Sequence, residues 1–178
     1  MKNILKYVSL GLVLLFVSCK NEPTLQKYFV EKSENKDFTV LDVTPNILNL
    51  EKTKLSSNEK DVLESFEKVN ILTFKADDKN KIQFEAEKKK ISSILKDEKY
   101  ESLIKVSMGK DGAEFKCVGK DEHIDEFILY GNRAENGLAV IRITGNDMNP
   151  TTVMEMLKLM QKSKIDVEQL KPLQELFK

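Results

Sequence analysis

Hydrophobic and polar positions along the chain predict short helices alternating with strands, followed by a run of strands and a last helix. Leu25, Tyr28 and Phe29 have helical spacing, and residues 38–43 alternate as a half-buried strand does. The segment 56–59, Ser-Ser-Asn-Glu, is a capping box, which predicts that another helix begins there. Residues 25–69 are therefore expected to fold as helix, strand and helix, with Phe66 and Val69 on the face of the second helix.

The rest of the chain shows the same two kinds of pattern, helical spacing and strand alternation of apolar residues. Residues 71–74 predict a strand, and the apolar positions between 84 and 95 follow one face of a helix. Asn149-Pro150 is typical of the start of a helix, with Asn as N-cap and Pro in the first turn. Between these helices the alternation predicts four strands joined by Gly-rich turns, at residues 103–108, 113–118, 124–130 and 138–144.

This order of elements predicts an α+β fold. We expect a mostly antiparallel sheet, made of a four-strand C-terminal meander plus one or two earlier strands, with the helices packed on one face. The pattern leaves the pairing of the first strands open. One α+β domain is expected over residues 25–162, followed by a tail at 163–178 for which a further short helix is one option.

The N-terminus is typical of a lipoprotein export signal. Lys2 and Lys6 form a basic start, and residues 7–17 form an apolar run, shorter than the roughly 20 residues that cross a bilayer. Phe16-Val17-Ser18-Cys19 resembles a lipobox, so we expect cleavage of 1–18 between Ser18 and Cys19. The alternative is a plain signal or an uncleaved anchor with an incidental cysteine, because Phe is less usual than Leu three residues before the cleavage site.

Lipidation of Cys19 would hold the domain at a membrane without a spanning helix. Each buried methylene contributes about 0.8 kcal/mol, so two or more acyl chains such as palmitate anchor a protein stably. Residues 19–24 would then be the lipidated cysteine and a short polar tether. We expect a cell-envelope protein, attached to the outer membrane in the simplest case, and the sequence leaves open whether it faces the periplasm or the outside.

Composition excludes several classes of function. Without residues 1–18 the chain carries 27 basic and 29 acidic residues, finely mixed, which is not the basic footprint of a nucleic-acid-binding protein. If Cys19 carries lipid, Cys117 is left without a disulfide partner. One histidine and one remaining cysteine cannot form a Cys/His metal centre, and no cofactor motif is present.

Cys117 and His123 are the first candidate for catalysis. They lie six residues apart around a predicted turn, so a Cys–His pair is conceivable in space. A buried, unreactive cysteine and an exposed strand-edge histidine explain the same residues without any chemistry, and His123 could otherwise respond to pH. We favour the structural interpretation of both.

Carboxylates are the second candidate. Asp77-Asp78, the acidic residues around His123 and Asp147 could supply oxygen ligands for calcium or a hydrolytic pair. None has the regular spacing and the Gly turn of a calcium loop, so we interpret them as solvated turn residues. The cluster around His123 consists of Asp121, Glu122, Asp125 and Glu126.

The last helix is the candidate for a partner surface. Its apolar face is Met-rich, and methionine is favoured on adaptable binding surfaces, although it fills protein cores more often. Packing against the sheet is therefore the alternative interpretation. The residues of this candidate surface are Val153, Met156, Leu157 and Met160.

The whole layout resembles a known family. Tyr28-Phe29 in the first helix, Tyr100-Glu101 before the meander and Ile141-Arg-Ile-Thr-Gly145 in its last strand are similar to the domain-of-unknown-function family 4252, across roughly residues 24–160. That family comprises small exported proteins and lipoproteins of Bacteroidetes. The resemblance implies export and an α+β domain, and it implies no catalytic residue.

Three functional hypotheses follow from the sequence. We favour a lipid-anchored, non-enzymatic binding or protein-interaction domain of the cell envelope, with the membrane and an envelope protein as its partners. The first alternative is a carrier of a lipid or another small apolar ligand in a cavity between sheet and helices. The second alternative is a hydrolase that uses Asp121, Asp125 and Asp147.

Overall fold

The computed structural model describes residues 23–44, 55–120 and 123–162, and for residues 157 and 160–162 it describes the backbone alone. The export signal with Ser18 and Cys19, most of the tether and the tail at 163–178 lie outside the described residues. The helices of this part are α1 Leu25–Ser33, α2 Ser57–Ser65, α3 Lys81–Ile94 and α4 Pro150–Lys162.

Six strands form one antiparallel sheet in the order β1-β2-β6-β5-β4-β3. The C-terminal meander is confirmed as β3 to β6, and both earlier strands belong to the sheet. The pair β1–β2 joins at the last strand of the meander, through β2 against β6. The strands are β1 Phe38–Val43, β2 Phe66–Lys75, β3 Glu101–Met108, β4 Asp111–Lys120, β5 His123–Arg133 and β6 Gly137–Met148.

Local chemistry explains where the helices begin. In α2, the Ser56 hydroxyl accepts a hydrogen bond from the Glu59 backbone, and the Glu59 side chain accepts one from the Ser56 backbone, as predicted. In α4, Asn149 accepts a hydrogen bond from the Thr152 backbone N–H at 3.0 Å. These side chains satisfy backbone N–H groups that have no partner within the helix.

Helices cover both faces of the sheet, so the prediction of helices on one face is correct for two of them and wrong for the other two. On the first face, α1 and α3 pack over a core that includes Tyr28, Leu72 and Ile91. On the second face, α2 and α4 pack over a smaller core that includes Val62, Phe127 and Met156. Neighbouring residues of a strand point to opposite faces, so β2, β5 and β6 contribute to both cores.

A buried polar group joins the two helices of the first face. The Tyr28 hydroxyl donates to Glu87 Oε2 at 2.7 Å, and the Lys32 ammonium pairs with the other oxygen of Glu87. Burial, and after it the hydrogen bond to Glu87, raises the pKa of Tyr28 far above its usual value. The tyrosine that supports the family resemblance therefore fixes α1 against α3.

Candidate functional site

The structure does not bring Cys117 and His123 together as a catalytic pair. Cys117 is buried in the second core, whereas the exposed His123 ring lies 2.8 Å, Nδ1 to Oδ1, from Asp147. Burial, and after it the Glu101 carboxylate, raises the pKa of the Cys117 thiol. A cysteine nucleophile needs the opposite shift, because its thiolate is the reactive form. The prediction that Cys117 is buried is confirmed.

The acidic residues near the turns have local structural partners. Asp77 Oδ1 accepts hydrogen bonds from the backbone N–H groups of Lys79 and Asn80, and Asp78 lies 2.7 Å from the Lys81 ammonium. These are turn-forming and helix-start contacts, so the interpretation of Asp77-Asp78 as turn residues is confirmed.

The two described carboxylates of the cluster around His123, Asp125 and Glu126, do not share one site. Asp125 is exposed on β5, and Glu126 on the same strand pairs with an arginine of β6. Asp121 and Glu122 lie outside the described residues. Within 23–44, 55–120 and 123–162, no group of three or more His, Cys, Asp or Glu side chains is placed to hold a metal ion.

Sequence reasoning missed a chain of hydrogen bonds that crosses four strands on the first face. We call its residues, Glu126, Arg142, Asn70 and Asp42, the polar ladder. Arg142 donates from Nη2 and Nε to the two carboxylate oxygens of Glu126, at 2.6 and 3.0 Å, and from Nη1 to Asn70 at 3.3 Å. Asn70 in turn donates to Asp42. The Glu126 carboxylate raises the pKa of Arg142 further. A charged residue inside the apolar run 138–143 was the only sequence signal for this ladder.

The polar ladder borders a small cleft but presents few free groups to it. The cleft has a volume of about 210 Å³ and lies between α1 and the ends of β1, β2 and β6. The Arg142 side chain is largely buried and is already bonded to Glu126 and Asn70. The ladder therefore connects neighbouring strands, and its charges are compensated within the protein.

Within the described part of the chain, helices cover only one end of the second face of the sheet. α2 and α4 lie where Val43, Phe66 and Met148 are buried. Further along the strands, small residues lie side by side in the sheet: Thr73, Ala139, Gly131 and Ala113 are successive partners on β2, β6, β5 and β4. Above them is an open hollow of about 380 Å³, with Lys75 and Arg133 among its lining residues.

Beside the hollow, large apolar side chains of the second face are exposed. On β3, Ile104, Val106 and Met108 are 58%, 45% and 68% exposed, and Leu129 on β5 is 39% exposed. Ile104 pairs with Phe115 and Phe115 with Leu129, so these positions form one continuous surface. We call Ile104, Val106, Met108 and Leu129 the apolar strip.

The apolar strip ends at an open sheet edge. β3 is the last strand of the sheet, and all eight of its residues are exposed. The outer backbone groups of an edge strand are free to pair with another strand, which makes such an edge a common binding surface. The meander was predicted from sequence, but the position of β3 at the edge depends on the strand order.

The candidate partner surface on α4 has a different environment. Met156 is buried in the second core, and Val153 packs against the same core. The side chains of Leu157 and Met160 lie outside the described residues. On this helix, the exposed methionine is Met154, at 57%.

Comparison with known proteins gives one match. Residues 28–171 match the family described as Domain of unknown function (DUF4252). The chain belongs to the DUF4252 family. It has no match among curated proteins and none among solved structures. Family membership agrees with the resemblance seen in the sequence and assigns no activity to the polar ladder, the hollow or the apolar strip.

Proposed function

We propose that this DUF4252 protein is a lipid-anchored, non-enzymatic protein-interaction domain of the cell envelope. The observation that carries the interaction role is the apolar strip beside the open edge of β3. Contiguous exposed apolar patches on globular proteins mark binding surfaces more often than isolated apolar residues do.

The anchor rests on Ser18, Cys19 and the apolar run before them. No helix among the described residues is long and apolar enough to cross a membrane. Acyl chains on Cys19 would tether the domain, with residues 20–24 as the spacer before α1. The same tether would keep the apolar strip within reach of other envelope proteins.

Metabolic labelling with palmitate tests the anchor. We expect labelled protein in the membrane fraction for the natural chain and no label for Cys19→Ser. Equal labelling of the two proteins would contradict the anchor at Cys19. The docking role would remain open after that result, because it rests on the sheet.

Site-specific photo-crosslinking in intact cells tests the docking role. A photoreactive phenylalanine analogue replaces Leu129 in the apolar strip or, as control, Ile82, which is 91% exposed on α3 at the other face. We expect a discrete adduct from position 129 that is lost when Met108→Lys is added, and no such adduct from position 82. The same adducts from both positions, or none from 129, would contradict the docking role.

The hollow supports a second candidate function, a carrier of a small apolar ligand. Its volume of about 380 Å³ is in the range of ligand pockets, and it lies on the open second face, not between sheet and helices. Its charged lining residues are Lys75, Arg133 and Glu135, so the charges around it are mixed. We expect Gly131→Leu, whose side chain extends into open space, to fill the hollow. Native mass spectrometry would show bound lipid in the natural protein and none in the variant.

A further inference from the structure

We infer that the open edge of β3 binds a second copy of this chain, with β3 of one copy antiparallel to β3 of the other. This inference names the partner of the surface proposed above and so rests on the proposed function. The argument depends on the length of regular β3 backbone, on which side chains would meet, and on their charges.

The regular part of β3 is short and symmetric about one residue. A shift in register lies between Ser102 and Ile104, and the strand ends at Met108 before the turn at residues 109–110. Residues 104–108 are thus the segment with an unbroken pairing pattern. The longest antiparallel pairing of this segment with its own copy is centred on Val106.

The register centred on Val106 places side chains of the same kind opposite each other. It places Val106 opposite Val106 of the second copy and Ile104 opposite Met108, all on the second face. On the first face it places Lys105 opposite Ser107. Directly opposed side chains of an antiparallel pair lie on the same face at about 5 Å, so the apolar residues would contact one another.

Charge repulsion disfavours the register that is shifted by one residue from the one centred on Val106. If the pairing were centred on Lys105, the two Lys105 side chains would lie directly opposite each other, which is destabilising. In the free chain Lys105 pairs with Glu114 at 2.8 Å on the first face. The register centred on Val106 leaves that ion pair in place and brings no like charges together.

The two edges of the sheet also differ in how they are protected. On β1, Phe38 and Val43 are buried, and α1 contacts the strand. On β3 the described helices leave every residue exposed. Natural edge strands are commonly protected by coverage, charge or bulges. β3 has one lysine and one irregularity at its start, and no described strand pairs with the outer edge of its last five residues.

Antiparallel pairing would place the same face of both copies on the same side. The apolar strips of the two copies would then form one surface across the new sheet. Five paired residues per copy make a small contact beside the roughly 1,600 Å² of a standard interface. We therefore expect the dimer on the membrane, where a shared lipid surface raises the effective concentration of the copies.

Disulfide trapping of the full-length protein in isolated envelopes tests the pairing. Single cysteines replace Val106, Lys105 or Ile104. A disulfide needs Cα atoms within about 7 Å, which only position 106 meets in the inferred register, since the two copies of residue 104 would lie about 14 Å apart. The natural chain is the background control, because Cys117 is buried.

We expect Val106→Cys to form a covalent dimer at least tenfold faster than Lys105→Cys or Ile104→Cys, with no larger species. Adding Ser107→Glu or Ile82→Lys to Val106→Cys should leave trapping intact, whereas adding Met108→Lys should abolish it by placing a charge opposite Ile104. Equal rates for the three cysteines, fastest trapping at Lys105, or a ladder of larger species would overturn the inference.

Disulfide trapping and photo-crosslinking test the β3 pairing and the docking role independently. Loss of Val106 trapping with retention of the photo-adduct at Leu129 would overturn the β3 pairing and leave the docking surface standing. Trapping at Val106 without any adduct at Leu129 would support the dimer and contradict the docking role proposed for the apolar strip.

Discussion

The covered and uncovered parts of one sheet differ in where their apolar side chains lie. β2 contributes buried apolar side chains to the cores on both faces, whereas β3 exposes the apolar side chains of its second face and has no covering helix among the described residues. Burial of the first part makes it the source of stability, because the hydrophobic effect scales with apolar area removed from water. The apolar residues of β3 contribute little to folding and are available for binding.

The largest expected difference in the free energy of unfolding is between substitution of a core residue and substitution of a residue in the apolar strip. Phe74 is buried and lies 5.0 Å from Phe38, ring centre to ring centre. Phe74→Ala should lower the free energy of unfolding by about 4 kcal/mol, because it leaves a cavity in the first core. Ile104→Ala should lower it by less than about 0.5 kcal/mol, because that side chain is mostly exposed.

Urea unfolding followed by circular dichroism measures both values. Phe74→Leu is the matched control, since it keeps most of the volume and should cost much less than the alanine variant. A large loss for Ile104→Ala would show that β3 is packed against another element, and the distinction between the covered and uncovered parts would be wrong.

The polar ladder should give the next largest effect. Arg142→Met leaves the partly buried carboxylate of Glu126 without its cation, and we expect a loss of about 3 kcal/mol in the free energy of unfolding. Adding Glu126→Gln removes the unpaired charge and should recover part of the loss. The double-mutant cycle is measured in urea, and fully additive losses would show that the two side chains do not act as a pair.

Local sequence signals were sufficient to predict most of the elements. The capping box at Ser56, the Asn149-Pro150 start of α4 and the Gly-rich turns of the meander act over a few residues, so they are visible in one sequence. The pairing of β2 with β6 joins residues about 70 positions apart. No local pattern determines such a pairing, and the edge position of β3 depends on it.

The prediction that all helices pack on one face was wrong, and the reason can be seen in the sequence. In β2, Val69 and Ile71 point to the second face, and Leu72 and Phe74 point to the first. A strand with apolar residues on both faces is typical of a sheet covered on both sides. The prediction that Phe66 and Val69 belong to the preceding helix was wrong, because both lie in β2, and the predicted strand at 71–74 was therefore too short to show this pattern. The polar ladder was missed for a related reason, because Arg142 meets Glu126 and Asn70 only through the strand order.

The last comparison is between the changes in stability caused by substituting two glycines that line the same hollow. A Cβ on Gly137, whose φ is +119°, would lie 1.9 Å from the Phe74 carbonyl oxygen, while a Cβ on Gly131 would meet no atom within 4 Å. Gly137→Ala should therefore cost at least about 2 kcal/mol through backbone strain. Gly131→Ala should raise the free energy of unfolding by about 0.5 kcal/mol, because alanine loses less conformational entropy in a strand. Thermal unfolding of both variants measures the difference, and a destabilised Gly131→Ala would mean that the hollow above the sheet is already occupied.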